Sequence, residues 1–395
     1  MKLSMEQENA IDLCCDFAEL IVGVTGGAGV GKTLVLGNVH RELSRLERSV
    51  VLCAPTGRAA KRITELTGVP AKTVHRLLEF PLPWEDGEKT QPRRDRTNPL
   101  EHDVVIVDEA SMISPFLYRS LINALPRGGV IRFFGDNNQL PPVEEGKPPF
   151  ITILKERPSV ELTYNYRSGD ALIDNSRRIL RGQFPQRCPQ FEILYSENPI
   201  KMLLEFATSD FMEGEHQIIT PTRRGKSGSL RMNPSLQIKF NSKGPMLQLN
   251  RFDKQEAKLT IRAGDKFIWI NNDYNLDLMN GEIGYVDWVD PDAGDLHLVT
   301  PERSINVPPR MRTYDAKKGT VVTYDPRKQI ELGYAVTTHK SQGSEFDTVV
   351  YCMSKGQAYL LNKRNFYTAV TRAKHQVILI TDRRSMSLSM RPYDV

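Results

Sequence analysis

The sequence predicts an α/β protein: two parallel-sheet domains in tandem, with a short insertion in the first and a small all-β insertion in the second. Three observations predict it. Residues 1–145 alternate apolar strand-like runs with amphipathic stretches, the order a parallel sheet requires. Residues 258–328 instead carry short β-rich runs, KFIWI, EIGYVDW, DLHLV and TVVTY, separated by Asn-Gly, Asp-Pro and Pro-Pro turns. Alternation returns at 329–395, which joins 146–257 to complete the second domain.

In the first domain the strands are expected at 21–25, 50–54, 104–108 and 130–135, with helices at 31–47, 57–66 and 115–125. Residues 80–101, FPLPWEDGEKTQPRRDRTNPLE, break the alternation and read as an inserted loop or hairpin. A proline-rich link, PPVEEGKPPF, leads to a helix at 171–181 and a strand at 217–220. Beyond the β insertion, strands are expected at 332–337, 348–353 and 376–381, with a helix at 363–373. No internal repeat stands out.

Composition narrows the class. The chain has 395 residues, 39% hydrophobic and 26% charged, enough for two or three ordinary cores. No run of about 18 apolar residues occurs, which excludes a transmembrane helix. Acidic residues through the N-terminal stripe argue against a signal peptide, so a cytoplasmic protein is expected. Cys14, Cys15, Cys53, Cys188 and Cys352 form no CxxC pair and are expected as small buried apolar residues. The formal charge of +5 leans toward a polyanionic partner.

Chemistry concentrates in a few stretches. VTGGAGVGKT follows an apolar strand and opens a helix, the context that makes a phosphate-binding loop credible. The backbone of Gly26, Gly27, Ala28, Gly29, Val30 and Gly31 would close on phosphate oxygens. Lys32 would reach the β- and γ-phosphates of ATP, and the Thr33 hydroxyl would coordinate Mg2+. VVIVDEAS brings Asp108 and Glu109 to a sheet edge, Asp108 to hold the magnesium and Glu109 to polarise the attacking water. In FFGDNNQLPPV, Gln139 is a candidate γ-phosphate sensor; Gln7 could read the adenine edge, or else it is a surface residue. Phosphoryl transfer gains about 10³ to 10⁵ in rate from an arginine at the developing charge. Arg167 in ELTYNYRS and Arg372 in NFYTAVTRAK lie beyond the first domain, where they would couple hydrolysis to domain closure.

Together these motifs resemble the superfamily 1 helicases of the RecD/Dda-like branch, the 5′-to-3′ translocating type, over residues 4 to about 381. The resemblance runs in order through Gln7, GGAGVGKT, APTGRAAKRI, KTVHRLL, VVIVDEASM, GDNNQLPPV and LTYNYRS, then TPTRRGKSGSLRMNPSLQ, NDYNLDLMNGEIGYV, YAVTTHKSQGSEFD and YTAVTRAK. It implies two RecA-like P-loop domains, a pin or wedge within 80–101, and an SH3-like barrel at 258–328. It also implies ATP and Mg2+ as cofactors, Gly343 on the nucleotide side, and Arg167 and Arg372 as arginine fingers. Single-stranded and forked duplex DNA are the implied partners of a monomeric motor, with a single-strand-binding or replication protein among the partners it allows. Without a counterpart in these residues to the long N-terminal region of RecD subunits, a compact Dda-like enzyme is the nearer expectation.

A translocating motor grips backbone more than bases. Thr56, Arg58, Lys61, His75 and Arg76 offer suitable groups on the first domain, and Thr338, His339, Lys340 and Gln342 on the second. For His339 a buried hydrogen-bonded role is the alternative. Phe80 and Trp84 are wedge candidates, or else they pack the insertion onto its domain. Tyr164 and Tyr166 are expected in the core. Arg93, Arg94 and Arg96, and likewise Arg223, Arg224 and Lys226, either meet phosphates or form solvated faces. An RNA helicase, a protein-stripping translocase and an ATP-switched clamp stay open as alternatives.

Overall fold

The computed structural model describes residues 3–80, 91–142, 144, 146–164, 171–208, 216–250, 258–273, 275–315 and 320–393. The chain divides into two compact units, Met1–Ile173 and Asp174–Tyr393.

The first unit contains α1 (Met5–Cys15), β1 (Ile21–Gly26), α2 (Lys32–Arg45), β2 (Val50–Ala54), α3 (Gly57–Thr67), β3 (Ala71–Thr73) and α4 (Val74–Leu77). These are followed by β4 (Val104–Val107), α5 (Pro115–Ala124), β5 (Val130–Gly135), α6 (Pro149–Glu156) and β6 (Ser159–Leu162). The strands form one parallel sheet in the order β3-β2-β4-β5-β1-β6. Every residue of β1, β4 and β5 is buried, as near-continuous apolar runs covered by helices on both faces should be. Side chains set the helix starts: Ser4 forms a capping box with Gln7, and Thr56 and Ser114 accept from Ala59 and Leu117 N–H.

Two expectations need correction here. The sequence ended the first domain at 145, yet β6 pairs with β1 and the unit runs on to Ile173. A proline-rich stretch was read as a domain link when it is only the approach to one more helix and strand. The second surprise is Arg132, fully buried on β5 in a run read as apolar. Its guanidinium donates to the carbonyls of Cys14, Asp16 and Glu19 at 2.7, 2.6 and 2.8 Å. It thus satisfies orphan carbonyls at and beyond the C-terminal end of α1, where positive charge is favoured, and fixes that helix to the sheet.

The division between units falls within α7 (Ala171–Leu180). Next come β7 (Phe191–Tyr195), α8 (Pro199–Phe206), β8 (His216–Thr220), α9 (Ser229–Phe240), β9 (Met246–Asn250), β10 (Lys258–Arg262) and β11 (Lys266–Trp269). The middle of the unit continues with β12 (Ile283–Val289), β13 (Leu296–Val299), β14 (Ser304–Val307), β15 (Met311–Asp315), β16 (Thr320–Tyr324) and β17 (Ile330–Leu332). It ends with β18 (Ala335–Thr337), β19 (Phe346–Cys352), α10 (Lys363–Val370), β20 (Ala373–Thr381) and α11 (Arg383–Ser389). A second parallel sheet runs β18-β8-β19-β20-β7.

The β insertion is an antiparallel sheet, β14-β13-β12-β11-β17, accompanied by the hairpins β9–β10 and β15–β16. Its strands begin at Met246 and end at Leu332, wider than the expected 258–328. The strand expected at 332–337 is two strands in two sheets, broken at Gly333. A β-carbon there would lie 2.6 Å from Phe267 backbone, so only glycine lets the chain pass. Fully buried Asp265 ties the insertion to the parallel sheet's neighbours, accepting from Tyr334 Oη, Asn241 Nδ2, Gln237 Nε2 and Arg262 N.

Candidate functional site

The phosphate loop leaves the C-terminal end of β1 and turns into α2. Gly29 and Gly31 have φ of +81° and +83°, left-handed conformations that point successive N–H groups into one concavity. Lys32 Nζ donates to the carbonyls of Gly26 and Gly27 at 2.7 and 2.8 Å, which holds the ammonium over the loop. Thr33 occupies the first turn of α2. This cradle fits a triphosphate: left-handed glycines, an oriented ammonium and a helix N-terminus converge on it.

Gln7 is buried against the same loop. Its Nε2 donates to Val30 O at 3.2 Å, while its Oε1 accepts from Ser4 N at 3.1 Å. The sequence names it as a candidate for the adenine edge; its described bonds are to the loop and to the helix cap. A β-carbon on Gly31 would sit 2.7 Å from Gln7 Nε2 and displace that amide, while the left-handed φ of +83° is what calls for glycine.

β4 delivers the two carboxylates. Asp108 N donates to Cys53 O at 2.9 Å, continuing the sheet, and Asp108 Oδ1 accepts from Glu109 N at 2.8 Å. Burial pushes the Asp108 carboxyl up to about 6, reinforced by the negative charge of Glu109 and opposed by Lys32 and Arg62. A carboxylate so destabilised is one that a divalent cation would relieve. Glu109 stands at φ +50°, ψ 40°, a strained conformation for a residue with a β-carbon. Gln139 is buried in the loop after β5, its N–H bonded to Asp136 O. Its Oε1 has no hydrogen-bond partner among the described residues. Arg62 is a further contributor, through its charge on Asp108. Its spacing of four from Arg58 on α3 was the available signal.

The groups assigned to nucleic acid divide sharply. Arg58 and Lys61 lie half-exposed on α3, and Arg76 is exposed on α4. The Thr56 hydroxyl is the cap of α3, accepting from Ala59 N at 3.2 Å. His75 is half-buried, and burial pulls its imidazole below the ordinary range. Phe80 is not a free wedge. It packs against His75 and Phe116, ring centroids 4.9 and 5.9 Å apart, and joins the first unit's core. Trp84, Tyr166 and Arg167 lie outside the described residues. Tyr164 is 59% exposed rather than core, its N–H held by Glu6 Oε2. Arg94 is committed to Glu79 and Glu101, at 2.8 and 3.1 Å.

In the second unit, Thr338 is fully buried, donating to Asn365 Oδ1 at 2.8 Å, so it cannot contact a strand as placed. Gln342 is also buried. His339 is half-buried, its imidazole pulled down by burial, and Gly343 takes φ +72°. Lys340 Nζ pairs with Glu331 at 2.9 Å. Arg372 is 4% exposed just before β20. Its guanidinium makes two long bonds, 3.3 Å each to Ser344 O and Thr371 Oγ1, and Nε lacks a partner among the described residues. Cys14, Cys53 and Cys352 are buried free thiols, with Cys15 and Cys188 half-buried.

Known proteins share both halves of this arrangement. The family described as "AAA domain" matches residues 7–145, and the "UvrD-like helicase C-terminal domain" matches 332–380. The ATP-dependent RecD2 DNA helicase of Deinococcus radiodurans is 32% identical over 381 residues, covering 94% of this chain. In sequence the chain is similar to RecD-type DNA helicases along nearly its whole length.

The chain spans only 48% of the length of that RecD2 relative. The RecBCD enzyme subunit RecD of Mycolicibacterium smegmatis is 28% identical, across 90% of this chain and 67% of that one. A Bacteroides Pif1 helicase solved with ADP-AlF3 and single-stranded DNA superposes with a TM-score of 0.62 at 22% identity, covering 100% of this chain and 95% of the other. A Pif1 structure described for unwinding at forked double-stranded DNA gives 0.64 at 21%. The shared fold is the tandem pair of RecA-like domains. No helix among the described residues is long and apolar enough to cross a membrane.

Proposed function

We propose that this chain is an ATP-dependent DNA helicase that moves along single-stranded DNA in the 5′-to-3′ direction and separates duplex. One observation carries the reading: a glycine cradle with an oriented Lys32 in the same unit as the strand-end pair Asp108 and Glu109, within a chain similar to RecD-type DNA helicases. Thr33 and Asp108 would hold Mg2+, which when bound supplies charge neutralisation at the phosphates. Glu109 orients and deprotonates the attacking water, and Gln139 senses the terminal phosphate. Arg167 and Arg372 act on the transferring phosphoryl group; the unsatisfied Nε of Arg372 supports an anionic partner for it. The insertion is an SH3-like barrel, consistent with its short antiparallel strands. Exposed Arg76 and half-exposed Arg58, Lys61, Arg223, His339 and Lys340 are the remaining candidates for backbone contact.

The deciding experiment is unwinding of duplexes bearing only a 5′ or only a 3′ single-stranded tail. The reading expects ATP-dependent unwinding of the 5′-tailed substrate alone. Preference for the 3′ tail overturns the polarity. Hydrolysis that no oligonucleotide stimulates overturns the helicase assignment.

A further inference from the structure

Glu331, on β17 of the inserted sheet, is only 5% exposed, yet it is a carboxylate with both oxygens engaged. Oε1 accepts from Arg223 Nη2 and Oε2 from Lys340 Nζ, each at 2.9 Å. The two cations come from separate loops, one between β8 and α9 and the other after β18. Each loop's backbone is fixed independently. Ser229 N and Leu230 N donate to Thr222 O and Arg223 O at 3.1 Å, and Lys340 N donates to Thr337 Oγ1 at 3.2 Å. What the backbone does not fix is the heading of two long, flexible side chains, and Glu331 does that.

We infer that Glu331 is a positioning residue, a fork on the inserted sheet that aims Arg223 and Lys340 at the nucleic-acid backbone. This rests on the helicase reading above. The charges give the cluster its behaviour. One buried carboxylate against two cations leaves a net positive charge, so a phosphate can bind without displacing the fork. The side chains of Arg223 and Lys340 keep 35% and 25% exposure, enough to reach an anion while remaining anchored. Without the carboxylate, two half-buried like charges repel and swing outward. They attract phosphate more strongly but in no fixed register, and a motor needs register more than affinity. β17 pairs directly with β11, with Glu331 opposite Ile268. A shift of the inserted sheet is therefore transmitted to both basic side chains at once.

The test compares Glu331→Gln, Glu331→Asp and the wild-type chain, using a dT oligonucleotide and ATP. For Glu331→Gln the expected result is a steeper salt dependence of binding, by about 0.7 log units per decade for the one added cation. The plateau of oligonucleotide-stimulated hydrolysis falls about tenfold while half-maximal stimulation needs no more DNA. Glu331→Asp restores part of the plateau. Adding Arg223→Met and Lys340→Met to Glu331→Gln abolishes the extra salt dependence, which separates aiming from loss of folding. An unchanged salt slope with only a lowered Tm makes Glu331 a purely structural tie and overturns the inference. A wild-type chain that no oligonucleotide stimulates overturns the helicase reading instead.

Discussion

Replacing Glu109 by glycine and by alanine separates backbone strain from chemistry. At φ +50°, ψ 40° the residue sits where a β-carbon costs about 1–2 kcal/mol. Alanine keeps that cost. Glycine escapes it but gives back about 0.5–1 kcal/mol through the greater freedom of the unfolded chain. Both remove the negative charge that helps raise the Asp108 carboxyl, so that contribution cancels between them. The glycine variant should therefore exceed the alanine variant by about 0.5–1 kcal/mol. In a unit of this size that is a Tm difference of about 1–4 °C, readable by calorimetry. Both variants, with Glu109→Gln, should bind nucleotide yet hydrolyse it at background rate. An alanine variant as stable as the glycine one would refute the strain. Ordinary turnover in Glu109→Gln would refute its role toward water.

Lys32→Ala should abolish hydrolysis while leaving single-strand binding measurable; undiminished stimulated ATPase would remove the site assignment. Burial alone would raise the Glu6 carboxyl, but bonds from the Thr163 hydroxyl and the N–H groups of Thr163 and Tyr164 bring it below its usual 4.5. A lowered carboxylate stabilises the fold above that value and loses its contribution as pH falls through its folded value. Glu6 is half-exposed and its charge is screened by solvent, so Glu6→Gln should cost only roughly a few tenths of a kcal/mol at pH 7, with the difference from wild type closing as pH falls through the folded value. Equal urea midpoints at pH 7 would contradict it. Phe80→Ala should destabilise by about 2 kcal/mol through lost packing and leave unwinding per folded molecule unchanged; a stable variant that hydrolyses ATP without unwinding would restore the wedge.

Legibility followed how local the physics is. β2 and β5 lie where apolar runs place them, because a strand buried on both faces needs little beyond continuous hydrophobicity. The phosphate loop was equally readable, since glycine, lysine and threonine spacing is dictated by the phosphates. β6 was missed because SVEL is short and half-exposed at a sheet edge. The bonds of Gln7 to the phosphate loop and the burial of Arg132 were not legible for a different reason. Their roles depend on partners 23 and more than 110 residues away, which no local pattern encodes. Thr338 misled because a hydroxyl in a polar loop looks accessible, while its true partner, Asn365, lies on α10. The Gly333 break shows a chain changing sheets within a stretch that reads as one strand.

Hydrolysis in the first unit is expected to depend on arginines carried further along the chain. Single-strand-stimulated ATP turnover by Arg372→Ala, measured beside nucleotide affinity, addresses that directly. A loss of about 10³-fold or more with nucleotide still bound is the expected result. Turnover equal to the wild-type chain, at saturating ATP and oligonucleotide, would contradict it.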